Sequence, residues 1–81
     1  MAGQERISAD YRPVGTQRLV VNGETREARG STLALLLDEL GYGGQKVATA
    51  LNGEFVPEKT RAAQVLVPGD QIEIVAPRQG G

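Results

Sequence analysis

The stretch Leu19-Val20-Val21-Asn22-Gly23-Glu24-Thr25-Arg26-Glu27-Ala28-Arg29-Gly30-Ser31-Thr32-Leu33-Ala34-Leu35-Leu36-Leu37-Asp38-Glu39-Leu40-Gly41 holds a hairpin followed by a helix. It opens on three apolar residues, two of them β-branched, which suit a pleated, half-buried strand. Asn22-Gly23 follows; both residue types accept positive φ, so the pair is the strongest short hairpin signal. The return strand runs from Glu24 to Ala28 in half-exposed alternation. Gly30 breaks it, and Ser31 or Thr32 supplies the N-cap oxygen of a helix. Leu33, Leu36, Leu37 and Leu40 fall at i, i+3, i+4 and i+7 and make one apolar stripe. Asp38 and Glu39 point away from the stripe, and Gly41 stands at the C′ stop. The spacing predicts one amphipathic helix of about ten residues.

Beyond Gly41 the pattern returns to strands. Gly43-Gly44 closes a short loop, and Val47-Ala48-Thr49-Ala50-Leu51 runs into a second Asn-Gly pair, Asn52-Gly53. Glu54-Phe55-Val56 is its short partner, ended by Pro57. Phe55 and Val56 read equally well as core or as partner contacts. Residues 58–64 are polar, with room for a single helical turn. Pro68-Gly69-Asp70 reads as a type II turn, because Pro fixes φ and Gly takes φ > 0. Gln71-Ile72-Glu73-Ile74-Val75 is the last strand, with Ile72 and Ile74 on one face. A hairpin, a crossover helix and further strands predict an α+β, β-grasp arrangement. It has one mixed sheet of about four to five strands, with the helix packed across one face. The leucine stripe then covers Leu19 or Val20, Val47 or Ala48, and Ile72 with Ile74.

The ends of the chain have no such pattern. Residues 1–17 mix charges of both signs with Gly, Pro, Ser and Gln and read as a flexible arm. A docking segment is the alternative for this stretch. Residues 18–76 form the expected β-grasp domain, and residues 77–81 a flexible tail ending in Gly80-Gly81.

Composition narrows the function. The 81 residues carry nine Lys and Arg against ten Asp and Glu, with no histidine and no cysteine. Cys/His metal sites, thiol nucleophiles and the commonest neutral-pH general base are therefore ruled out, and no metal is expected. The balanced charge argues against nucleic acid, as do the three aromatic residues, Tyr11, Tyr42 and Phe55. Residues 1–17 lack the apolar run of a signal peptide. Leu33 to Leu37 is the longest aliphatic stretch, far short of the roughly 20 residues of a membrane span. A cytoplasmic protein without membrane contact is the expectation.

No catalytic set is visible. Ser8 and Ser31 have no histidine to activate them. Asp38 and Glu39 are consecutive on a helix, so their side chains diverge; they read as a solvated face. Gly41-Tyr42-Gly43-Gly44 follows a helix, whereas phosphate loops open one, so it reads as a helix-to-strand connection. Glu24 and Glu27 interrupt Arg26 and Arg29, leaving no basic stripe. What remains is the chain end. Gly80 and Gly81 have no Cβ and can thread a narrow channel in extended form. A terminal α-carboxyl has a pKa of about 3.5, so it is ionised at neutral pH. It can attack the α-phosphate of ATP to give an acyl-adenylate, which a sulfur nucleophile can displace. A frayed tail is the plain alternative.

Val20-Val21-Asn22-Gly23, Thr32 to Gly41, Val47 to Gly53 and Pro68 to Val75 resemble, in order and spacing, the ThiS-type sulfur carriers of thiamine biosynthesis. The likeness spans residues 18–81. The resemblance implies a ubiquitin-like β-grasp fold and a carrier that is not itself an enzyme. A ubiquitin-activating-like adenylyltransferase would adenylate Gly81 with ATP, the carrier itself binding no cofactor. A cysteine desulfurase or rhodanese-type donor would convert Gly81 to a thiocarboxylate, and thiazole synthase would take the sulfur. By this carry-over Gly81 is the covalent carrier and Gly80 lets the tail enter the partner's site. The arm before Arg18 is not part of the usual pattern, and Pro77-Arg78-Gln79 is a local variant without an assigned role. The alternatives are a sister carrier for molybdopterin or cysteine synthesis, and a non-covalent β-grasp protein-binding module.

Overall fold

The computed structural model describes residues 15–77. Five strands, β1 (Gln17–Val21), β2 (Glu24–Ala28), β3 (Ala48–Leu51), β4 (Glu54–Val56) and β5 (Gln71–Val75), alternate with one α-helix, α1 (Leu33–Glu39), and a 3₁₀ helix at Glu58–Ala63. They form a single sheet in the order β2-β1-β5-β3-β4. β1 and β5 run parallel at its centre, and the other pairings are antiparallel. This is the mixed β-grasp sheet that the sequence predicts, with its helix on one face.

Both Asn-Gly pairs make the expected hairpins. Asn22 and Gly23 take φ of 51° and 85°, and Asn52 and Gly53 take 51° and 87°. Two successive left-handed residues are the type I′ geometry, whose twist matches the flanking strands. The Pro68-Gly69 turn also forms: Gly69 has φ of 91°, and the Asp70 N–H donates to the Val67 carbonyl at 3.1 Å.

Helix α1 is shorter than its leucine spacing suggests. Thr32, not Ser31, is the N-cap, its Oγ1 accepting from the Leu35 N–H at 3.2 Å. At the other end Leu40 is already the C-cap. The Gly41 N–H donates to the Asp38 carbonyl and the Tyr42 N–H to the Leu37 carbonyl, at 3.1 and 2.8 Å. That bond pair is a Schellman close, and it ends the helix one residue before the stripe does. Leu33, Leu36 and Leu37 are buried, while Leu40 is partly buried against the core. Beneath the helix lie Leu19 rather than Val20, Val47 rather than Ala48, and both Ile72 and Ile74.

Gly30 owes its identity to this packing. A Cβ there would lie 2.5 Å from the Leu36 nitrogen and 2.8 Å from its Cα, so only glycine lets the β2–α1 connection pass over the helix backbone. The same connection changes the reading of Glu39. Its side chain is exposed, yet its carboxylate accepts from the Arg29 N–H at 2.9 and 3.0 Å and from the Gly30 N–H at 2.8 Å. Glu39 thus ties the connection to the end of α1, where a merely solvated residue was expected.

Candidate functional site

The route from the core to the chain end is strand β5. Its residues alternate, Ile72 and Ile74 buried under α1, Gln71, Glu73 and Val75 on the opposite face. Gly80 and Gly81, the residues on which the sequence places the chemistry, lie outside the described residues, as do residues 1–14 of the expected arm. What the fold does define is the base from which that end departs, Val75-Ala76-Pro77, all three exposed.

Two features surround this base. The first is the sheet face away from the helix. Across it Ala48 stands opposite Val75, and Ala50 opposite both Phe55 and Glu73. Phe55 and Val75 are 69% and 63% exposed, which makes this the apolar part of the open face. The two readings of the Glu54–Val56 strand therefore divide by parity: Phe55 faces solvent, and Val56 is core. The second feature is a cleft of about 380 Å³ in which Ala76 and Pro77 face Gln45 and Lys46.

Of the Gly41-Tyr42-Gly43-Gly44 segment, Tyr42, Gly43 and Gly44 line a neighbouring cleft of about 410 Å³, together with Asp38, Lys46, Glu58 and Arg61. The segment connects helix to strand, as expected, and it closes the carbonyl end of α1, the wrong pole for a phosphate. Two cations and two carboxylates balance there. Arg61 is committed to structure, with Nε donating to Thr49 Oγ1 at 3.0 Å and Nη2 to the Val47 carbonyl at 2.7 Å. Sequence reasoning missed this residue, which sits in a polar stretch whose composition gives no sign of burial. Among the described residues no group of three or more acidic, His or Cys side chains is placed to hold a metal ion. No helix among them is long and apolar enough to cross a membrane.

Sequence reasoning also missed how the hairpin asparagines are used. The Asn22 Oδ1 accepts from the Ile74 N–H at 2.8 Å, and Asn22 Nδ2 donates to the Ile74 carbonyl at 3.3 Å. Asn52 Oδ1 accepts from the Gln71 N–H at 2.9 Å, and its own N–H donates to the Gln71 carbonyl at 2.7 Å. The Asn-Gly dipeptides announce the turns, but the side-chain bonds depend on a strand far along the chain.

The model of the ThiS family matches residues 19–81, from within β1 through the terminal Gly80-Gly81. The chain belongs to the ThiS family. Relatives and a solved structure fit that assignment. The Sulfur carrier protein ThiS of Thermus thermophilus is 39% identical over 61 residues, a match covering 75% of this chain and 95% of that one. A thiazole synthase of Paramagnetospirillum magneticum is 45% identical over 65 residues, covering 79% of this chain but 20% of that protein. This ThiS-family chain therefore spans about a fifth of the length of the thiazole synthase it matches. Among solved structures, the thiamine biosynthesis protein ThiS from Geobacter metallireducens superimposes with a TM-score of 0.66 at 28% identity. That match covers 80% of this chain and all of the other. The ubiquitin-like β-grasp fold is shared along that length.

Proposed function

We propose that this ThiS-family chain carries sulfur for thiazole formation in thiamine biosynthesis, with the Gly81 α-carboxylate as the carrier group. An oxygen of that carboxylate attacks the α-phosphorus of ATP, pyrophosphate leaves, and an acyl-adenylate forms. The terminal sulfur of a partner persulfide then attacks the acyl carbon and AMP leaves. A partner thiol cleaves the resulting acyl disulfide, becoming oxidised as it does so, and leaves a thiocarboxylate on Gly81. Thiazole synthase consumes that sulfur. Gly80, lacking a Cβ, admits the chain end to the partner's narrow site.

The observation that carries this reading is a family match that runs to Gly81 on a domain whose last strand ends in an exposed Val75-Ala76-Pro77. Two others support it. The sequence holds no histidine or cysteine, so acid–base and thiol chemistry must come from partners: an adenylyltransferase of the ubiquitin-activating type and a desulfurase or rhodanese-type persulfide donor. In this reading the chain is a co-substrate working in the cytoplasm and not an enzyme. The 45% identity to part of a thiazole synthase favours that enzyme as acceptor over the molybdopterin and cysteine alternatives. ATP–pyrophosphate exchange tests the first step. With a ThiS adenylyltransferase, exchange should depend on this chain and vanish when Gly81 is deleted; exchange that persists without Gly81 would contradict the assignment.

A further inference from the structure

Strand β5 is held by main-chain partners on one side but only part of the way on the other. Toward β3 it is paired from Ile72 to Val75. Toward β1 the register covers only Gln71 and Ile72. The bonds advance in steps of two, the Val20 N–H to the Asp70 carbonyl and the Asn22 N–H to the Ile72 carbonyl. The next step would bring the residue 24 N–H to the Ile74 carbonyl. Residue 24 is unavailable, because the hairpin has turned it back to pair with Val21. The Asn22 side-chain amide fills the place of the missing peptide, accepting from the Ile74 N–H and donating to its carbonyl.

We propose that Asn22 is a positioning residue for the carrier tail, fixing the end of β5 through a side-chain amide that stands in for a strand. This rests on the carrier reading above. The chain just beyond Ile74 has little freedom to lose the direction so set. Val75 is paired with Ala48. Ala76 precedes a proline and is biased to extended backbone. Pro77 has φ held near −65° by its ring. Val75, Ala76 and Pro77 thus carry on the orientation imposed at Ile74, and a partner that must receive the tail meets its base already set. Loosening the clamp lowers the fraction of molecules with the base of the tail so held, which weakens apparent affinity without touching the reacting atoms. Asn52 is the control, since its side-chain oxygen accepts from the Gln71 N–H at the opposite end of the same strand, while its Nδ2 donates to Asp70 Oδ1.

The test compares Asn22→Gly with Asn52→Gly in the full chain. Glycine keeps the type I′ turn in both and removes only the amide. Amide exchange should rise at Ile74 in the first variant and at Gln71 in the second. In adenylation, Asn22→Gly should raise the carrier's KM about tenfold, as expected for losing one or two net hydrogen bonds, with kcat unchanged. Asn52→Gly should keep the wild-type KM. Equal KM values for the two variants, or Ile74 protection retained in Asn22→Gly, would overturn the inference while leaving the carrier reading intact. A wild-type chain that is not adenylated at all would overturn both.

Discussion

Arg61 Nε donates to Thr49 Oγ1 at 3.0 Å, joining the 3₁₀ helix to β3 through two buried polar side chains, 8% and 2% exposed. The same hydroxyl donates to the Val56 carbonyl at 2.9 Å, and the other arm of the guanidinium meets the Val47 carbonyl. One side chain thus ties the 3₁₀ helix to β3 and, through Thr49, to β4. Arg61→Met should preserve most of the volume and strip the donors. The expected loss is about 1–3 kcal/mol, read from urea denaturation. Arg61→Lys should recover only part of it, because an ammonium cannot span both acceptors as the guanidinium fork does. Wild-type stability in Arg61→Met would show that the links contribute nothing.

Two glycines separate close backbone approach from close side-chain approach. Gly30→Ala pushes a methyl against the backbone of Leu36 and should destabilise by about 1–3 kcal/mol or more. At Gly43 the added Cβ would meet Asp38 Oδ1 at 2.7 Å, the end of an exposed side chain that can rotate away. Gly43→Ala should therefore stay within about 0.5 kcal/mol of wild type. Thermal melts of the two variants check the contrast, and equal losses would contradict it.

Neighbouring residues of β4 should behave as opposites. Val56 is 6% exposed within the core, so Val56→Ala should lower stability by about 1–3 kcal/mol through lost burial and a residual cavity. Phe55 points to solvent, and Phe55→Ala should leave the melting temperature nearly unchanged. A large loss in Phe55→Ala would place it in the core after all.

Deleting Gly81 should abolish conversion while leaving the melting temperature of the chain unchanged, since the last strand ends at Val75. Unfolding on deletion would give the terminal residue a structural role that the carrier account does not allow.

Local signals made much of this fold legible. The two Asn-Gly turns, the leucine stripe and the Pro-Gly turn each act within a few residues, so they could be read directly. The length of α1 was less accessible, because the Schellman close at Gly41 and Tyr42 competes with the apolar spacing that would carry the helix through Leu40. The Asn22–Ile74 clamp joins residues 52 apart in sequence, and no pattern around Asn22 announces it. Arg61 escaped for a similar reason: its acceptors, Thr49 on β3 and the Val47 carbonyl just before that strand, lie 12 and 14 residues away. Phe55 and Val56 stayed open because a three-residue strand is too short for alternation to assign its faces. As for the candidate site, Gly80 and Gly81 could be proposed from the sequence, but the structure around β5 was needed to find Asn22 on the strand that leads toward them.

Conversion of Gly81 to a thiocarboxylate can be read as a change in intact mass after incubation with a ThiS adenylyltransferase, ATP and a persulfide donor. The expected result is replacement of one oxygen by sulfur, located by fragmentation to Gly81 and lost again when thiazole synthase turns over. No exchange, under conditions that convert the Thermus thermophilus carrier, would contradict it.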